Sequence, residues 1–191
     1  MIYHADLATE PDLDIIAKAG IPLAPVLTSP WIGVEHGAAT RGFGQQERDR
    51  LRRQLDASFQ MIRNARARGI PILSGSDSGN ASAFSHGCWH GKEAELFVKE
   101  VGMPPMEAIV ANTSRNAWLM GLEGEVGVIA PGKLADIVIW NSDPLAEITV
   151  LQRPSEISTV VKDGRVVDSE AGGDFRRLPE ELSRARASIS G

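Results

Sequence analysis

The chain predicts an α/β fold built on a parallel sheet, and three observations carry that reading. Short apolar runs and helix-period stretches alternate through the first 76 residues. The longest helical stretch has a sharply amphipathic face. From about Gly124 the pattern changes to short β-rich runs separated by turn residues. Strand, helix, strand, helix, strand at these lengths is the order of a parallel sheet or a (β/α) barrel.

Ile2–His4 is a short strand candidate. Glu10–Ala19 reads as a helix, with Pro11 in its first turn, Leu13, Ile16 and Ala17 on an apolar face, and Gly20 as its stop. "IPLAPVL" (Ile21–Leu27) has the apolar run of a buried strand, interrupted by Pro22 and Pro25, which argue against ladder positions. The stretch that follows, with Trp31, Glu35 and His36, is Gly-rich and reads as a loop. From Gln45 to Arg68 Leu51, Leu55, Phe59 and Ile62 recur at spacings of four and three opposite many arginines, a helical face that Gly69 ends. "IPILSGSD" is the next strand. Helices are expected at about Glu93–Val101 and Met106–Met120. Turns at Pro131-Gly132 and Asp163-Gly164 punctuate the β-rich part, the second joining Thr159–Lys162 to Arg165–Val167 as a hairpin.

Composition narrows the function classes. With 25 acidic and 20 basic residues among 191, and arginines spread along one helix and the tail, the chain offers no nucleic-acid groove. Its one cysteine forms no intrachain disulfide and suits a reducing compartment. The opening "MIYHADLATE" has neither a basic leader nor a long apolar run, so a cytoplasmic protein without a membrane span is expected.

Asp77 in "ILSGSDSG" is the first candidate for chemistry. A carboxylate at the C-terminal mouth of a parallel strand faces the place where barrel enzymes work, and Ser76, Ser78 and Gly79 leave room beside it. An Asx-turn closing the strand is the plainer account from spacing alone. His4, near another strand end, has the same two readings. In "SHGCWHG", His86, Cys88 and His90 lie two apart and would share a face of an extended segment. Three such donors could bind zinc, but the spacing is no standard finger pattern and a plain loop is favoured. "GSDSG" puts Asp where a nucleophile elbow needs Ser, and Cys88 lacks a visible orienting group.

The run "GMPPMEAIVANTSRNAWLMGLEGEVGVIAPGKLADIVIWNSDPL", followed by "VVKDGRVV", resembles the C-terminal half of the amidohydrolase superfamily, in its imidazolonepropionase-like and prolidase-like branches. "G-x-I-x-P-G-K-x-A-D-I-V" is the distinctive part, and the likeness extends from Met1 to about Val167. It implies a partial (β/α)8 barrel, elements about six to eight, followed by the C-terminal strands of a small β-sandwich. The implied division is barrel over residues 1–121, sandwich segment over 122–168 and tail over 169–191. It also implies metal-dependent hydrolysis of C–N bonds in cyclic amides or Xaa-Pro-like dipeptides. His4 corresponds to the histidine ligand after the sixth strand. Asp77 corresponds to the aspartate after the eighth, both a metal ligand and the proton carrier. His90, in the His-Gly before "KEAELFVKE", corresponds to a position at the substrate mouth. Asp136 falls in the signature of the β unit, with a structural role at the strand start.

The His-x-His pair, the bridging residue and the fifth-strand histidine of that superfamily have no counterpart here. Zinc is the metal the complete site implies, but a catalytic zinc takes about three protein ligands. Alone, the chain is therefore expected to bind well under one equivalent and to be inactive. It would act either with a copy or partner that supplies the N-terminal half-barrel, or as a non-catalytic subunit that works by protein association.

Overall fold

The computed structural model describes residues 1–78 and 89–167. Its first sheet is parallel. β1 (Ile2–Tyr3) pairs with β2 (Leu23–Ala24), Ile2 opposite Leu23, and Leu23 forms a parallel bridge to Ile72. Pro22 and Pro25 explain why β2 is only two residues long: neither can donate to a ladder. The carbonyl of Pro22 still accepts from Ile2 N at 2.9 Å, and Leu23 takes both sides of the Ile70–Leu73 segment through Pro71 O and Leu73 N.

Helices cover the connections. α1 (Glu10–Lys18) joins β1 to β2, with Asp12 accepting from Thr9 N and Thr9 Oγ1 at its N-terminus. The expected loop after Leu27 is instead two helices, α2 (Thr28–Glu35) and α3 (Gly37–Arg41). Their glycines serve packing: a Cβ on Gly33 would lie 2.5 Å from Leu51, and one on Gly37 would lie 2.5 Å from Phe43. α4 (Gln45–Ala67) runs where its periodicity put it, burying Leu55, Phe59 and Ile62 against Leu13, Leu23, Leu27 and Ile72.

α5 (His90–Lys99) adds Leu96 and Phe97 to the same core. The single helix expected over Met106–Met120 is two, α6 (Pro105–Asn112) and α7 (Ser114–Leu119), broken at Thr113, whose hydroxyl bonds back to Ile109 O at 2.8 Å. This pair closes the outer edge of the Ile70–Leu73 segment. Arg115 Nη1 donates to Ile72 O at 3.2 Å, Asn116 Nδ2 donates to Ser74 O at 2.9 Å, and Ser74 N donates to Ala111 O at 3.2 Å. Arg115 also lies 3.5 Å from Glu107, which Arg66 grips with two bonds. Those Arg66 hydrogen bonds hold the Glu107 carboxyl below its ordinary pKa.

The second sheet is antiparallel, β3 (Ile137–Trp140), β4 (Ile157–Lys162) and β5 (Arg165–Val166), in that order. Asp163 and Gly164, at φ 52° and 74°, make the expected hairpin turn. Asp136 accepts from Asp163 N at 2.8 Å and from Lys162 Nζ at 2.5 Å, the structural role expected of it. The segment Ile148–Gln152 docks on α5, where a Cβ on Gly91 would lie 2.4 Å from Leu151 O.

Candidate functional site

The parallel sheet ends in unusual backbone. His4, Ala5, Val26 and Asp77 have φ of 64°, 62°, 56° and 52°, all left-handed and none a glycine. All four lie just past the C-terminal ends of the three parallel segments. Non-glycine residues held there cost of order 1–3 kcal/mol each and collect at functional sites. Val26 is the sharpest case, because a β-branched side chain is rarely left-handed.

His4 follows β1 directly; its N–H donates to Ala24 O at 2.9 Å, so its backbone is the last rung of the β1–β2 ladder. Its imidazole is exposed. Two residues on, Asp6 accepts from Gln54 Nε2 at 2.8 Å and Ser58 Oγ at 3.0 Å, which pins this turn to α4. Asp77 is also exposed, while the preceding Ser76 is 3 % exposed with its hydroxyl 3.1 Å from that of Ser78. The structure thus places His4 and Asp77 at the same end of the sheet, on the two segments that flank β2.

His90 stands at the first turn of α5 and keeps solvent contact, and the burial of its ring lowers its pKa. His86 and Cys88 lie outside the described residues. His36 is not on a solvated loop: it is partly buried at the α2–α3 junction, its ring edge-on to Trp31 at 5.4 Å. Burial lowers its pKa, Glu35 opposes that shift and Lys92 adds to it. Lys92 Nζ sits 4.3 Å above the Trp31 ring and pairs with Glu95.

Two residues of this region carry no signal as motifs. Asp6 is one. Glu93 is the other: fully buried on α5, it accepts from Leu27 N at 2.8 Å, Thr28 N at 2.9 Å and Thr28 Oγ1 at 2.5 Å. Burial pushes its carboxyl up to about 7, against the pull of those three donors. Its signal in the sequence was an acid on the apolar face of a helix, three and four positions before Leu96 and Phe97.

The sequence pattern of the amidohydrolase family matches residues 5–167. The chain belongs to that family. Among curated amidohydrolase relatives, ochratoxinase of Aspergillus niger is 25% identical over 168 residues, which are 86% of this chain and 33% of that protein. Imidazolonepropionase of Geobacillus kaustophilus is 32% identical over 124 residues, 58% of this chain and 27% of the relative. A crystal structure of a Xaa-Pro dipeptidase with bound methionine superposes with a TM-score of 0.73 at 28% identity, over 87% of this chain and 39% of the dipeptidase. The chain therefore spans about a third of the length of these relatives. Amidohydrolases generally use divalent metals. Among the described residues at this mouth, the exposed left-handed positions carry one imidazole, His4, and one carboxylate, Asp77, and no three His, Cys, Asp or Glu side chains gather as a metal cluster. By themselves these residues do not make the three-ligand set of a catalytic zinc.

Proposed function

We propose that this amidohydrolase chain is the C-terminal portion of a C–N bond hydrolase, contributing His4 and Asp77 to a site that needs further ligands. The observation that carries this reading is the pair of exposed, left-handed residues, one imidazole and one carboxylate, beyond neighbouring parallel segments. A divalent cation, zinc by choice of donors, would supply Lewis-acid chemistry in the complete site. Asp77 is the proton carrier of the reaction: a solvent-facing carboxylate on a fixed backbone can accept a proton and return it to the leaving nitrogen. His90, at the start of α5, is the candidate on the substrate side.

In this reading residues 1–121 are the later elements of a (β/α)8 barrel and residues 122–168 belong to a β-sandwich. The likeness to imidazolonepropionase and to a Xaa-Pro dipeptidase supports small cyclic-amide or dipeptide substrates. A half-barrel supplied by a copy or a partner would bring the remaining ligands.

Size-exclusion chromatography followed by elemental analysis tests the reading. The chain alone is expected to carry well under one equivalent of zinc and no amidase activity, and to gain both when combined with a protein bearing a His-x-His half-barrel. A full equivalent on the monomeric chain would overturn the incomplete-site reading. Failure of any such partner to restore metal would favour a non-catalytic subunit that works through protein association.

A further inference from the structure

Among the described residues, Glu93 is the only charged residue that is buried. It belongs to α5, the helix that follows the segment carrying Asp77, yet its three hydrogen bonds all go to the first turn of a helix 65 residues away in sequence. That helix, α2, receives no cap from its own side chains. Its leading N–H groups, Leu27 and Thr28, would be orphans without an acceptor. Glu93 supplies one acceptor oxygen to Leu27 and the other to Thr28, with the Thr28 hydroxyl as a third donor. A negative charge there also suits the positive end of the helix. Just before this contact stands Val26, held in its left-handed conformation at the end of β2.

We propose that Glu93 is a positioning residue for the mouth of the sheet, locking the segment that leaves β2 to the helix that follows Asp77. The spacing of these two rim segments is then set by one buried carboxylate rather than by either loop. The proposal rests on the hydrolase reading only for what the mouth is used for; the lock itself is tested without metal or substrate.

No neighbouring charge competes for Glu93. On its own helix, Lys92 and Lys99 both pair with Glu95, and His90, one turn before Glu93, is held toward its neutral form by burial. On α2, Glu35 faces Arg52 at 3.7 Å and His36 packs on Trp31. Glu107 of α6 is held by Arg66, and Ile148–Gln152 carries no charged side chain.

Nuclear magnetic resonance of the full chain between pH 5 and 9 provides the test. The Leu27 and Thr28 amide protons are expected to shift together with a single midpoint near neutrality, which the buried state of Glu93 sets. Glu93→Gln should abolish that titration. It should also displace the Asp77 amide and the Trp31 indole signals more than those of the β3–β5 sheet. Thr28→Val, which removes one donor to the carboxylate, should move the midpoint upward, and Thr28→Ser should restore it. Amides that do not titrate together, a titration that survives Glu93→Gln, or perturbation confined to Leu27 and Thr28 would overturn the proposal. If Glu93→Gln does not fold, the Thr28→Val and Thr28→Ser pair decides: equal midpoints sink the lock.

Discussion

A single proton on Glu93 should be visible in the stability of the whole chain. Its carboxyl is pushed up to about 7 in the folded state from an ordinary 4.5. The folded protein therefore holds a proton that the unfolded chain releases, and stability must fall as pH rises from about 4.5 to about 7, levelling off above. The full loss is roughly 3 kcal/mol if the whole shift is expressed. Urea midpoints measured across that range should decline, and Glu93→Gln should flatten the decline. That variant should also be less stable at low pH by about 1–3 kcal/mol, because an amide nitrogen would face a backbone N–H. At Asp77 the expectation runs the other way. Asp77→Gly removes the candidate carboxylate but relieves a left-handed backbone, so thermal unfolding should move up by the equivalent of about 1 kcal/mol. A lower unfolding temperature would show that the Asp77 side chain supports the fold. In the sequence His4 and Asp77 stand out as candidates only through the amidohydrolase resemblance, since spacing alone favours an Asx-turn at Asp77. Their left-handed φ could not be read there, since nothing in "HAD" or "GSDSG" demands it. Glu93 shares its helix with one other acid, the half-buried Glu95, and only its place on the apolar face distinguished it.

At the scale of elements, periodicity read α1, α4 and the Asp163-Gly164 hairpin from the chain because each depends on local spacing or turn chemistry. α2 and α3 were missed. Their glycines look like loop residues in sequence, but they are glycine because Leu51 and Phe43 occupy the space a Cβ would need. That reason lies in tertiary packing and leaves no local trace. The break between α6 and α7 has a similar origin, in hydrogen bonds that Ser74, Arg115 and Asn116 make across the chain. Gly91 offers a direct test of packing at this scale. A Cβ there would meet the Leu151 carbonyl at 2.4 Å, and backbone cannot rotate away as a side chain can. Gly91→Ala should cost about 1–3 kcal/mol by overpacking, read as a lower denaturant midpoint with the secondary structure retained. The same substitution at Gly42 or Gly132 meets no atom within 4 Å and tests backbone strain alone.

For the whole molecule, the parallel sheet depends on α6 and α7 to finish one of its edges. Arg115 serves two tasks there, donating to Ile72 O and lying beside Glu107. Arg115→Ala would leave that carbonyl to water and expose a stretch of unpaired strand. The expected outcome is a loss of about 1 kcal/mol or more, together with concentration-dependent association in sedimentation, since open edges recruit other strands. A variant that stays monomeric at high concentration would show that Asn116 and Ala111 suffice to protect the edge. The α/β class was legible at this scale from the order of elements. The sealed edge was not, because it depends on side chains some forty positions from the strand they protect.

The left-handed residues at the mouth also bear on how this sequence could change over time. His4 and Asp77 stand in solvent on backbone that glycine would occupy at lower energy, so the packed interior gives no reason to retain them. A population of variants selected for thermal endurance alone should drift toward glycine or asparagine at both positions. A population selected to complement a missing hydrolase should not. Comparing the survivors of the two selections would show whether natural selection held these side chains in place against the preference of their own backbone.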